Sequence, residues 1–203
     1  MQPTIKPRIK ICCISSIKEA WTAINYGASV LGFVSHMPSG PGIISETLIT
    51  EIVAQIPPPI ATFLLTSSQD NQEIIQQIKR CGTNTVQICD KIKSGSYQGI
   101  REALPGVSIV QVIHVTSEES INEATEIAPF VDAILLDSGN QSLDVKELGG
   151  TGRMHNWDIS KQIRDRAKIP DELATKLQEE TQRANEAEAL LARYRERFGD
   201  INE

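Results

Sequence analysis

The sequence lacks a surplus of basic residues: its 203 residues hold 20 Lys and Arg against 26 Asp and Glu, a formal net charge of −6. Phosphate backbones are gripped by Lys and Arg gathered on one face, so this balance argues against nucleic acid as a partner. No apolar run approaches the roughly 20 residues needed to cross a bilayer. The opening Met-Gln-Pro-Thr-Ile-Lys lacks the apolar stretch of an export signal, so secretion is not expected. Cys12, Cys13, Cys81 and Cys89 show no CxxC spacing, which removes a zinc ribbon. Cys12 and Cys13, as neighbours, are awkward disulfide partners, and a chain of this length needs no disulfides. Reduced thiols and a cytoplasmic setting are therefore expected. What is present is 40% apolar residues and 13 glycines, close to the globular average and enough for a packed core.

The first 168 residues repeat one theme: a short β-branched run, a Gly or polar break, then a segment of helical period. Ile9–Ile14 reads as a first strand. Ser16 with Glu19 three residues on spells a capping box, opening a helix that runs to Gly27. Further strands are expected at Ser29–Val34, Ala61–Leu65, Thr85–Ile88, Ser108–Ile113 and Ala133–Leu136. Helices are expected from Ser45 to about Gln55, Asn71 to Cys81, near Tyr97–Leu104, and Ser117 to Ala128. Such alternation means βαβ units on a parallel sheet, either a (β/α) barrel or a doubly wound sheet. A dinucleotide-binding sheet should carry GxGxxG after its first strand; here that turn reads Cys12-Cys13-Ile14-Ser15-Ser16, and no Walker motif occurs. The barrel is favoured.

After Lys168 the texture changes, so the chain divides into a part-barrel over 1–168 and a helical tail over 169–203. Residues 171–198 contain no Gly or Pro. Leu173, Leu177, Glu180, Ala184, Ala187, Leu191, Tyr194 and Phe198 step by fours and threes, a heptad seam with one polar interruption. The spacing predicts one continuous helix, either lying on the barrel as a solvated amphipathic element or pairing as a coiled coil in a homodimer.

In a parallel barrel, reactive groups gather where strands end and the next loops begin. Cys12 closes the first strand and Asp137 the sixth, while Gly149-Gly150-Thr151-Gly152 lies in the long loop beyond. A thiol and a carboxylic acid across a barrel mouth make an acid–base pair, provided the thiol gives appreciable thiolate. Against this, cysteines most often pack as small apolar groups. The glycine-rich turn reads either as amides offered to an anion or as a flexible lid. His36, His114 and His155 read as polar residues of the rim and loops.

Several stretches together resemble the phosphoribosylanthranilate isomerase family over residues 8–168. They are Lys10-Ile11-Cys12, Gly27-Ala28 with Leu31-Gly32-Phe33-Val34, Thr85-Val86-Gln87, Leu135-Leu136-Asp137-Ser138, and Gly149–Gly152 followed by Trp157. The resemblance implies a (β/α)8 TIM-barrel type of α/β fold and a cofactor-free Amadori rearrangement of a small phosphorylated sugar, N-(5′-phosphoribosyl)anthranilate, in tryptophan biosynthesis. It implies Cys12 as general base and Asp137 as general acid. It also implies substrate contacts at Gln87, Gly149, Gly150, Thr151 and Gly152, with no metal.

The chain also departs from the family pattern. Cys13 stands where the family has Gly, placing a second thiol beside the base. Gly40-Pro41-Gly42 stands where the family has Ser-Pro-Arg, so the Arg that clamps the anthranilate carboxylate in the family is Gly42 here. Residues 169–203 do not spell the seventh and eighth strands whose loops bind phosphate. An incomplete barrel of about six units, with exposed edges at strands one and six, is therefore expected. Two further functions remain beside the isomerase. One is a catalytically impaired relative that assembles through its helical tail. The other is a different sugar-phosphate isomerase or epimerase, disfavoured because a metal-dependent epimerase needs His and Asp ligands at strand ends.

Overall fold

The computed structural model describes residues 8–168; the helix expected over 171–198, with its dimer, lies outside them. The strands are β1 (Lys10–Ile11), β2 (Val30–Val34), β3 (Ala61–Thr66), β4 (Thr85–Ile88), β5 (Ser108–His114) and β6 (Ala133–Asp137). They form one sheet in sequential order β1-β2-β3-β4-β5-β6, and every neighbouring pair is parallel. Helices α1 (Ile17–Asn25), α2 (Glu46–Val53), α3 (Asn71–Cys81), α4 (Tyr97–Ala103) and α5 (Glu119–Ile127) connect them, and α6 (Trp157–Arg166) follows β6. This is a six-stranded part-barrel in which, among the described residues, β1 and β6 are not paired with each other. No described helix is long and apolar enough to cross a membrane.

Helix α3 shows why these segments fold as they do. The Asp70 carboxylate accepts from the amides of Gln72 and Glu73 at 2.9 and 3.0 Å, satisfying donors that the first turn leaves unpaired. Ile74, Ile75, Ile78 and Cys81 recur at helical spacing and are all buried. Lys79 and Arg80 lie in the last turn, where they complement the helix dipole. Gly82 ends the helix at φ +68, and its amide donates to Ile78 at 2.9 Å.

Three local details differ from the sequence expectations. The first strand is two residues long because Cys13 takes φ +61, a left-handed turn that stops the ladder. At α1, Ser16 Oγ caps the amide of Glu19 as expected, at 3.2 Å, but the Glu19 carboxylate bonds chiefly to Ser15. The hydroxyl of Ser15 first, then its amide, holds the Glu19 carboxyl below its ordinary value. Helix α5 begins at Glu119 without a side-chain cap, because the Ser117 hydroxyl is bonded to the Glu119 carboxylate.

The period-two alternation of the strands separates two packing layers. Leu31, Phe33, Leu64, Val86, Ile88 and Ile109 face outward into the main core with the helices. Val34, Leu65, Cys89 and Val112 face inward with Met37 and Leu148, against Phe63 and Leu135. Lys10, Cys12, Gln87 and Asp137 occur in the same inward phase, so the fold aims them at the interior.

Candidate active site

At the C-terminal ends of the strands lies a cleft of about 230 Å³. Its wall includes Lys10 of β1 and Cys12 just after it, Gln87 of β4 and Cys89 just after it, Asp137 from β6, and Gly149 and Gly150 from the following loop. Five of the seven residues singled out from sequence therefore share one cavity. Thr151 and Gly152 lie just beyond it, and Thr151 is tied to Ser138 through their hydroxyls at 2.7 Å.

Each group is held by identifiable contacts. The Cys12 side chain lies over Gly32 of β2: a Cβ there would sit 2.8 Å from Cys12 Sγ, so a larger residue would displace the thiol. Asp137 Oδ1 accepts from the Gly139 amide at 3.1 Å, which fixes the carboxyl at the rim. Gly149, at φ +141, crosses over that carboxyl so closely that a Cβ would be 3.0 Å from Oδ2. The loop carrying these glycines is folded, with Asn140 and Glu147 exchanging backbone bonds at 2.8 and 3.0 Å. Ser39 Oγ donates to the Lys146 carbonyl at 2.7 Å, and the Lys146 ammonium pairs with Asp90, two residues beyond β4.

The histidines sit elsewhere. His114 is buried, with Nε2 against the Cys89 carbonyl at 3.0 Å. His155 stacks near Trp157 at 4.8 Å between ring centroids. His36 is exposed.

A scan against family models gave no match. Sequence comparison did. The N-(5′-phosphoribosyl)anthranilate isomerase of Nostoc punctiforme is 31% identical over 157 residues, covering 77% of this chain and 72% of the relative. The chain belongs to the phosphoribosylanthranilate isomerase family. N-(5′-phosphoribosyl)anthranilate isomerase 2 of Methanosarcina mazei is 30% identical over 157 residues, 77% of this chain and 69% of that protein. Among solved structures, phosphoribosyl anthranilate isomerase from Thermotoga maritima superposes with a TM-score of 0.64 at 22% identity, covering 80% of this chain and 74% of that one. This structural likeness carries the fold.

Sequence reasoning overlooked two features of this isomerase-family site. The first is Lys10, whose inward aim follows only from its sharing a strand phase with Cys12. The second links the two departures at residues 13 and 42. A Cβ at Gly42, where φ is +82, would lie 2.5 Å from the Cβ and 2.7 Å from the Sγ of Cys13. The Cys13 side chain thus occupies the space that any side chain at position 42 would need. Burial first, then neighbouring Cys12, pushes the Cys13 thiol up, opposed by Lys10. Cys13 also carries a backbone conformation that costs non-glycine residues about 1–2 kcal/mol. Cys13→Gly should therefore raise stability by about 1 kcal/mol, and Gly42→Ala should lower it by at least as much. The Gly42→Ala penalty should shrink by about 1 kcal/mol in the Cys13→Gly background, as read from a double-mutant cycle in urea. Strict additivity would show that the two positions do not meet.

Proposed function

We propose that this chain isomerises N-(5′-phosphoribosyl)anthranilate, the compound named in its relatives, by an Amadori rearrangement with Asp137 as acid and Cys12 as base. The observation carrying the reading is that thiol and carboxyl, 125 positions apart in the sequence, line one cleft at the strand ends. Asp137 donates its proton to the ribose ring oxygen as the C1′–O4′ bond breaks, and the anilino nitrogen supplies the electron pair, leaving a protonated Schiff base. The Cys12 thiolate then removes the C2′ proton, and those electrons form the enolamine. Tautomerisation returns a proton to C1′ and leaves a ketone at C2′. No redox change or added reactant is required, so one acid and one base suffice.

Gln87 supplies a polar contact from the cleft wall, and the amides of Gly149 and Gly150 are the anion-facing part of the rim. Without a side chain at Gly42, the cleft wall formed by Ser39, Gly40 and Pro41 carries no cation for the substrate carboxylate. Weaker substrate binding than in a relative with Arg there is the expected consequence. The test is growth without tryptophan of a strain lacking the isomerase, together with turnover by the purified chain. Growth that survives Cys12→Ala and Asp137→Asn together would overturn this assignment of roles, and absence of turnover at high substrate would overturn the activity.

A further inference from the structure

Of the residues lining the cleft, Lys10 is the one cation and Asp137 the one carboxylate. They are not paired: among the described residues, every ion pair uses another cation, and no carboxylate comes within 4.0 Å of Lys10 Nζ. The cations of the loop after β6 are committed, Lys146 to Asp90 and Arg153 to Glu147. Lys10 is half-buried on the inner face, and its neighbours there are neutral. Its ammonium donates to Gln87 Oε1 and stands 5.2 Å from the centre of the Phe63 ring. A lysine has three donors, so this one bond leaves two for a ligand. A cation drawn into an apolar interior is costly unless an anion is supplied. Gln87 and Phe63 hold the ammonium in place without neutralising it.

We propose that Lys10 binds the carboxylate of an aromatic acid, the task that the resemblance gives to an arginine at position 42. The surroundings choose among anions. Val34, Met37, Leu65, Leu135 and Leu148 make the cleft wall largely apolar. Such a lining buries a benzene ring well and offers little to the outer oxygens of a phosphate or to sugar hydroxyls. A dry cavity of about 150 Å³ holds one benzene ring. The cleft of about 230 Å³ therefore takes the ring with its carboxylate and leaves the ribose toward the mouth. Cys12 is exposed there and Asp137 is held at the rim, so the ring end and the reacting end of the substrate fall on different parts of one cleft. The wall at position 42 is closed to this task, because Cys13 fills the space beside Gly42 and Ser39, Gly40 and Pro41 bring no charge. Lys10 sits instead on β1, already fixed by Gln87 before any ligand arrives. A lysine offers one point charge where the planar fork of an arginine grips both carboxylate oxygens, so the acid is recognised but oriented less tightly.

The proposal rests on the reading of the cleft as the substrate site, and its test needs no turnover. Anthranilate, its neutral amide anthranilamide, and ribose 5-phosphate are each titrated into the full chain, with binding followed by NMR. Lys10→Met should weaken anthranilate about tenfold while anthranilamide stays within about twofold; a merely structural role would weaken both alike. Lys10→Arg should keep anthranilate within about threefold, because the charge is retained. Ribose 5-phosphate should respond to neither change. Circular dichroism monitors the fold, and Lys10→Gln carries the same expectation if Lys10→Met unfolds. Failure of anthranilate to bind the unaltered chain, or equal binding by a folded neutral variant, would overturn the proposal. A loss confined to ribose 5-phosphate would overturn it too, and would give Lys10 to the phosphate. If anthranilate binding depends on Lys10 but no isomerase turnover is found, the aromatic-acid site stands and the isomerase reading falls. Turnover with anthranilate binding indifferent to Lys10 removes the role of Lys10 alone.

Discussion

Replacing Asp137 by Asn, or Cys12 by Ala, should each lower turnover about 10²–10⁴-fold, the usual cost of losing a general acid or base. Asn at 137 keeps an oxygen to accept from the Gly139 amide, so the rim should remain in place while the transferable proton is lost. Cys12→Ala removes one sulfur from an exposed position and should leave stability nearly unchanged. The two losses should not multiply, because in the proposed reaction each residue serves a different step of one proton-transfer sequence. Cys13→Gly should preserve or improve turnover, since it removes a thiol that the proposed reaction does not use and relaxes a left-handed turn. Steady-state kinetics of the four proteins decide this. Damage from Cys13→Gly equal to that from Cys12→Ala would mean that the second thiol is the base.

Lys146→Met should be the most damaging substitution outside the reacting groups. Asp90 is 4% exposed, and its partner in ion pairing is the Lys146 ammonium. Removing one member of a buried pair costs roughly 3–5 kcal/mol because the remaining charge stays buried without compensation. Lys146 is itself partly exposed, with 31% of its side chain open to solvent, and Asp90 keeps the amide of Lys91 at 2.8 Å, so about 2 kcal/mol is expected. A urea unfolding midpoint reads the loss. Asp90→Asn in the same chain should recover much of it, since no carboxylate is then left unpaired. Turnover should fall as well, because the pair fixes the loop that brings Gly149 and Gly150 to the cleft. A full-strength Lys146→Met protein would show that the Ser39 and Asn140 contacts hold that loop alone.

The strands and most helices were legible because their signals are local. A β-branched run at Thr85–Ile88, or the Asp70 cap and Gly82 stop around α3, needs no tertiary help. Cys12 and Asp137 were legible as strand-end residues, and the family resemblance pointed to the same two. What stayed hidden depends on groups far apart in sequence. The left-handed turn at Cys13 cut short an apolar run long enough to read as a whole strand. Nothing local announces that Cys13 and Gly42 compete for one volume, because their proximity exists only once β1 and β2 are paired. Lys10 hid for another reason: a charged residue at the start of a strand ordinarily reads as solvated, and only the phase it shares with Cys12 turns it inward. The Asp90–Lys146 pair joins segments 56 residues apart and carries no sequence signature.

The sequential strand order also bears on how the site is built as the chain emerges from the ribosome. Each strand pairs with the one synthesised just before it, so every new β/α unit finds its docking surface already formed, and no closure spans more than one unit. The ties around the cleft obey a different schedule. Lys10 meets Gln87 across 77 positions, and Ser39 waits for Lys146 across 107. The outer core can thus consolidate progressively from the N-terminus, while Cys12, Asp137 and the loop over them come together only after β6 and its loop have been made. In this architecture the scaffold matures before its chemistry does, and a stalled or shortened nascent chain would hold a packed sheet with no assembled reaction centre.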